Sequence, residues 1–236
     1  MMGGVSTTAV PPTDDALERP TARWVRPFVV IAAVIGLLLL GGAGGLLLGL
    51  PNAAPTTPAP TAVDIGFAQD MSVHHQQAVE MASWERDHTS DPVLGQLAAD
   101  IEATQTAQIG RMQGWLELWG APSLPVGGYM GWMTEPATHD HDGAAPGAPV
   151  AVMPGMASAD ELKALRAATG PQLDVMFLQL MLRHHQGGAT MLSYGAQYAA
   201  VPQVQNLARQ MLTSQTAESQ YLGQLLAQRG GTPLPE

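Results

Sequence analysis

Sliding the chain against itself by 110 residues aligns 64–120 with 174–230 without a gap. Of the 57 paired positions 17 are identical, where chance supplies about four. The densest stretch reads Phe67, Met71, His74, His75, Gln76, Met81 in the first copy and Phe177, Met181, His184, His185, Gln186, Met191 in the second. Pro92, Leu97, Ala98 and Gln105-Thr106-Ala107 recur as Pro202, Leu207, Ala208 and Gln215-Thr216-Ala217. A duplication constrains the fold strongly, because whatever one copy forms the other must form too, with an approximate two-fold axis between them.

Each copy has the pattern of two helices. In the first, Phe67, Met71, His74, Ala78, Met81 and Ala82 follow the 3, 4, 7 spacing of one helical face. In the second, Leu94, Leu97, Ile101, Gln105, Gln108, Met112, Trp115 and Trp119 do the same. Asp91-Pro92 and Val201-Pro202 mark new helix starts, where proline is tolerated in the first turn, and Gly120 and Gly230 are natural stops. Four long helices with one apolar stripe each pack most simply as an antiparallel four-helix bundle, an all-α domain over 64–236. A Gly/Pro-rich linker, 121–157, joins the copies, and Ser158-Ala159-Asp160-Glu161 reads as a capping box opening a short helix over 158–169.

Ahead of the bundle lie three further segments. Residues 1–27, rich in Thr, Pro and Ala, read as a disordered cytoplasmic tail. Residues 28–50 contain no charge, and 23 helical residues span about 35 Å, enough for a bilayer core of about 30 Å. Arg19, Arg23 and Arg26 precede this run and no Lys or Arg follows until Arg86, so the positive-inside rule places the N-terminus in the cytoplasm and the rest outside. The competing reading is a cleaved signal peptide, whose apolar region is usually shorter, at about 7–15 residues. A Pro-rich spacer, 51–63, follows.

Charge and composition narrow the function. A net charge of −10 leaves no basic surface for nucleic acid. With no cysteine, disulfides, thiolate zinc sites, iron–sulfur clusters and cysteine nucleophiles are excluded. No nucleophile elbow, phosphate-binding loop or dinucleotide fingerprint is present. Metal chemistry is left to seven histidines, the carboxylates and thirteen methionines.

Met71, His74 and His75 fall within about a 100° arc of one helix face, and Met181, His184 and His185 repeat the arrangement. The two-fold axis can bring both sets into one core, where Gln105, Gln108, Gln215 and Glu218 add polar groups from the second helix of each copy. Burial of so many polar groups requires partners, either each other or a metal ion. Imidazole with thioether suits copper, Cu(I) above all; zinc has no use for the methionines. A di-iron centre is rejected, because Glu85 and His88 have the Glu-x-x-His spacing but their counterparts are Gly195 and Tyr198. In the linker, Met153, Met156, His139 and His141 form a secondary candidate.

These features together resemble the bacterial family called domain of unknown function 305: the paired M-x2-H-H-Q segments, the Pro-started helix carrying Q-T-A, and Met153-Pro154-Gly155-Met156 before the capping box. The resemblance implies a ferritin-like four-helix bundle, export or membrane anchoring, and copper binding in some members. It assigns metal roles to His74, His75, His184 and His185, with Met71, Met181, Met81 and Met191 as thioether candidates. The resulting expectation is a membrane-anchored extracytoplasmic protein that sequesters or delivers Cu(I)/Cu(II) without turning over a substrate. The alternative is a structural or interaction module of the cell envelope whose His-Gln layer fixes helix register.

Overall fold

The computed structural model describes residues 25–47, 58–134 and 147–235. The chain divides into two units, Met1–Thr56 and Thr57–Glu236. In the first, α1 covers Val25–Leu47, and its large apolar side chains, Leu37, Leu38 and Leu40 among them, are exposed. Among the described residues no helix is long and apolar enough to cross a membrane. The membrane helix expected over 28–50 is thus a reading of the sequence alone.

The second unit contains α2 (Ala62–His88), α3 (Pro92–Leu118), α4 (Ala159–Ala167), α5 (Pro171–Tyr198) and α6 (Pro202–Gln228). Among the described residues there is no strand, only one antiparallel bridge between Tyr129 and Val150. Helix α2 packs on α3, α5 on α6, and the copies join through α2 against α5. Local chemistry sets the boundaries. The Asp91 carboxylate accepts from the Val93 and Leu94 amides at 2.9 and 3.4 Å and caps α3. Ser158 and Glu161 form the reciprocal capping box of α4. Gly120 and Gly230 follow α3 and α6 with φ of +62° and +69°.

One acidic residue in each copy ties it to the other. Asp64 accepts from the Thr61 amide at 2.8 Å and, across the molecule, from the Ala200 and Val201 amides at 3.2 and 2.9 Å. Its counterpart Asp174 accepts from the Thr89 hydroxyl at 2.7 Å. The start of each copy is thereby fastened to the helix–helix corner of the other.

The interior holds two apolar clusters. One gathers Ala78, Met81, Leu94, Ile101, Phe177 and Met181; the other gathers Phe67, Met71, Met112, Met191, Met211 and Met153. On α2 the boundary between them falls at His74-His75, and on α5 at His184-His185. The returning linker seals one side. Trp132 lies where a side chain on Gly66 would stand, 2.3 Å from a Cβ there, and donates its indole N–H to Asp70 at 2.7 Å. Asp70 also accepts from the Met130 amide at 2.6 Å. Met130 has a φ of +64°, a conformation uncommon outside glycine.

Candidate metal centre

The four paired histidines occupy the core, none more than 2% exposed. His74 and His184 face each other across the α2–α5 contact with ring centroids 3.8 Å apart and planes inclined by 36°. The rings of His184 and His185 are 6.3 Å apart. Burial holds His74 down at about 4 and His75 at about 3, with neighbouring imidazoles pushing the same way, and lowers His184 well below the ordinary value. At neutral pH these three imidazoles are uncharged, the form a metal requires.

Their tautomers follow from their partners. His74 Nε2 lies 3.2 Å from the Pro154 carbonyl, and His184 Nε2 lies 3.0 Å from the His74 carbonyl. His75 Nε2 lies 2.8 Å from Gln108 Oε1, and His185 Nε2 lies 2.7 Å from Glu218 Oε2. Each of these oxygens accepts, so each Nε2 carries the proton and donates it. In the uncharged His74, His75 and His184 the lone pair then resides on Nδ1, and Nδ1 of His74, His75 and His185 has no hydrogen-bond partner. Metal-binding histidines characteristically have one ring nitrogen held by a carbonyl or carboxylate and the other bare. The His74 ring packs closely on Gly188: a Cβ there would crowd His74 Cε1 at 3.1 Å and stand 3.6 Å from its Nδ1 and 3.7 Å from Gln215 Oε1. The first copy has Ala78 at this position. These donors fit a soft ion, although among the described residues no group of three or more His, Asp or Glu side chains is already assembled to hold one.

The other candidates are distributed around this layer. Met71 and Met191 lie in one flanking cluster and Met81 and Met181 in the other, all buried. Gln108 and Glu218 grip His75 and His185, Gln215 lies near His74 across Gly188, and Gln105 is buried with neither side-chain polar atom paired. Met153 is buried, and Met156 is half-buried against the same cluster. His139 and His141 lie outside the described residues. Glu85 is buried whereas His88 stacks on Trp84 at 3.7 Å, so the two do not share a site.

Sequence reasoning passed over the linker's contribution. Pro154 supplies the acceptor for His74, and the loop comes this close because Gly155 meets Gly187. A Cβ at Gly187 would stand 2.4 Å from Pro154 backbone, and one at Gly155 would stand 2.6 Å from the Arg183 carbonyl. The available signal was Gly187-Gly188 in the second copy against Gln77-Ala78 in the first, a glycine pair where backbones approach.

Fold and site together define an all-helical, internally duplicated bundle with a buried imidazole layer. The family model for a domain of unknown function, DUF305, matches residues 64–226, and the chain belongs to that family. It is similar to a DUF305 protein from Streptomyces coelicolor at 41% identity, with a TM-score of 0.64 over 74% of this chain and 96% of that one. A DUF305 fragment from Deinococcus radiodurans is 29% identical, with a TM-score of 0.57 over 72% of this chain and 99% of that one. CopM in its Cu(II)-bound form is 25% identical, with a TM-score of 0.53 over 70% of this chain and 96% of that one. No curated protein matches the chain.

Proposed function

We propose that this chain is a membrane-anchored, extracytoplasmic copper-binding protein that sequesters or hands over Cu(I)/Cu(II) and turns over no substrate. The observation that carries the reading is the buried imidazole layer, whose Nε2 atoms are held by fixed oxygens and whose Nδ1 atoms at His74, His75 and His185 are left without a hydrogen-bond partner. An unpaired buried polar atom costs roughly 1–3 kcal/mol. Three of them within one core are most simply explained by an occupant. The buried thioethers of Met71, Met81, Met181 and Met191 favour the reduced ion, since soft sulfur prefers Cu(I). The likeness to copper-loaded CopM supports the same metal.

The anchor rests on the uncharged run 28–50 behind Arg19, Arg23 and Arg26. The acidic surplus lies entirely beyond residue 50, where it favours cations at the outer face. Equilibrium dialysis of the full-length protein against Cu(I) tests the function. Wild type is expected to retain copper and His74→Ala/His184→Ala to lose most of it. Equal uptake by both would favour a purely structural polar layer.

A further inference from the structure

The four acceptors that hold the buried imidazoles by Nε2 are unequal in charge. His74 is held by the Pro154 carbonyl at 3.2 Å, His184 by the His74 carbonyl at 3.0 Å and His75 by the side-chain amide oxygen of Gln108 at 2.8 Å. The fourth, His185, is held by Glu218 Oε2 at 2.7 Å. Three acceptors are thus neutral and one is a carboxylate. The His185 side chain is fully buried whereas that of Glu218 is 27% exposed, so the carboxylate reaches in from the rim to a ring that water does not touch. A charge so close to a buried ring is only weakly screened.

The duplication makes the comparison like for like. Gln108 and Glu218 occupy equivalent positions and hold equivalent histidines through the same ring nitrogen at nearly the same distance. The other candidate donors are identical between the copies: Met71 and Met181, His74 and His184, Met81 and Met191, Gln105 and Gln215. Sulfur therefore favours Cu(I) equally in both copies and does not distinguish them. Nδ1 of His75 and of His185, the atom left to meet a metal, has no hydrogen-bond partner in either copy. What differs behind these two rings is one negative charge. A carboxylate behind an imidazole raises its basicity as a ligand, and a nearby negative charge stabilises a dication more than a monocation.

From these observations, and resting on the copper reading above, we propose that Glu218, acting through His185, sets the preference of the imidazole layer between the two oxidation states of copper. Its carboxylate favours Cu(II), whereas the neutral amide of Gln108 leaves the equivalent ring to favour Cu(I).

Exchanging the two residues tests the assignment, because Glu and Gln have the same shape, each already occurs at the equivalent place in the same fold, and either can accept from Nε2. Affinities of the full-length protein in detergent micelles are measured for Cu(I), anaerobically against bicinchoninate, and for Cu(II), against glycine. Glu218→Gln is expected to weaken Cu(II) binding by about tenfold or more while Cu(I) binding stays within about threefold of wild type. A tenfold change in the ratio of the two affinities corresponds to a rise of about 59 mV in the Cu(II)/Cu(I) potential. Gln108→Glu is expected to move that ratio in the opposite direction. A ratio that either exchange leaves unchanged, equal losses for both ions included, would reduce Glu218 to holding the ring in place and overturn the assignment. So would a wild type that takes Cu(I) and refuses Cu(II). A wild type that binds neither ion defeats the copper reading itself, and this assignment with it.

Discussion

Glu85 and the buried histidines pull the pH dependence of stability in opposite directions. His74, His75 and His184 take up protons near pH 6.5 when unfolded but resist them when folded, His74 down to about 4 and His75 to about 3. Between these limits the unfolded chain binds more protons, so their contribution is complete above pH 6.5 and is lost as pH falls towards 4. Glu85 behaves in the reverse sense. Burial first, and then the neighbouring Asp174, raise its carboxyl from 4.5 to about 8, with Arg229 opposing and Asp91 reinforcing. Its contribution is complete below pH 4.5 and is lost as pH rises through about 8. Urea denaturation of the metal-free protein across pH is therefore expected to give a maximum near neutrality. Glu85→Gln should remove the alkaline decline and stabilise the protein by roughly 1–2 kcal/mol at pH 8.5, with little effect at pH 5. An unchanged alkaline slope in the variant would place that loss elsewhere.

Among the elements, the linker loop has the most leverage on the site, because it reaches α5 only where two glycines meet. Gly187→Ala forces a methyl group into Pro154 backbone. The expected cost is roughly 1–3 kcal/mol in chemical denaturation, with loss of the His74–Pro154 hydrogen bond. A neutral substitution would mean that the loop does not press on α5. The helices themselves were legible in the sequence: the apolar period, Pro92, Pro202 and the Ser158–Glu161 box each have a local cause, and α3, α6 and α4 begin accordingly. The sequence also pointed to the histidines as a set, since the duplication repeats them at equal spacing. It could not show that Asp70 would gather Met130 and Trp132, or that a proline carbonyl would orient His74, because these contacts join residues 60 to 80 positions apart. Asp70 has no equivalent in the second copy, where Leu180 stands, so the repeat offered no guide.

For the molecule as a whole, the proposal joins an acidic, cation-attracting domain to a membrane tether. Alkaline carbonate extraction of membranes from producing cells tests the tether directly. The account predicts that the full-length chain stays in the pellet with residues 28–50 intact; a soluble chain beginning after residue 50 would establish cleavage. The central claim is narrower and concerns which nitrogen holds the metal. ¹⁵N NMR of histidine-labelled protein, titrated with diamagnetic Cu(I), measures it at each ring. In the metal-free protein the account predicts protonated Nε2 and bare Nδ1 at His74 and His75, with copper shifting Nδ1 of the paired histidines and leaving each Nε2 proton in place. Rings that ignore Cu(I), or that surrender the Nε2 proton to it, would contradict the account.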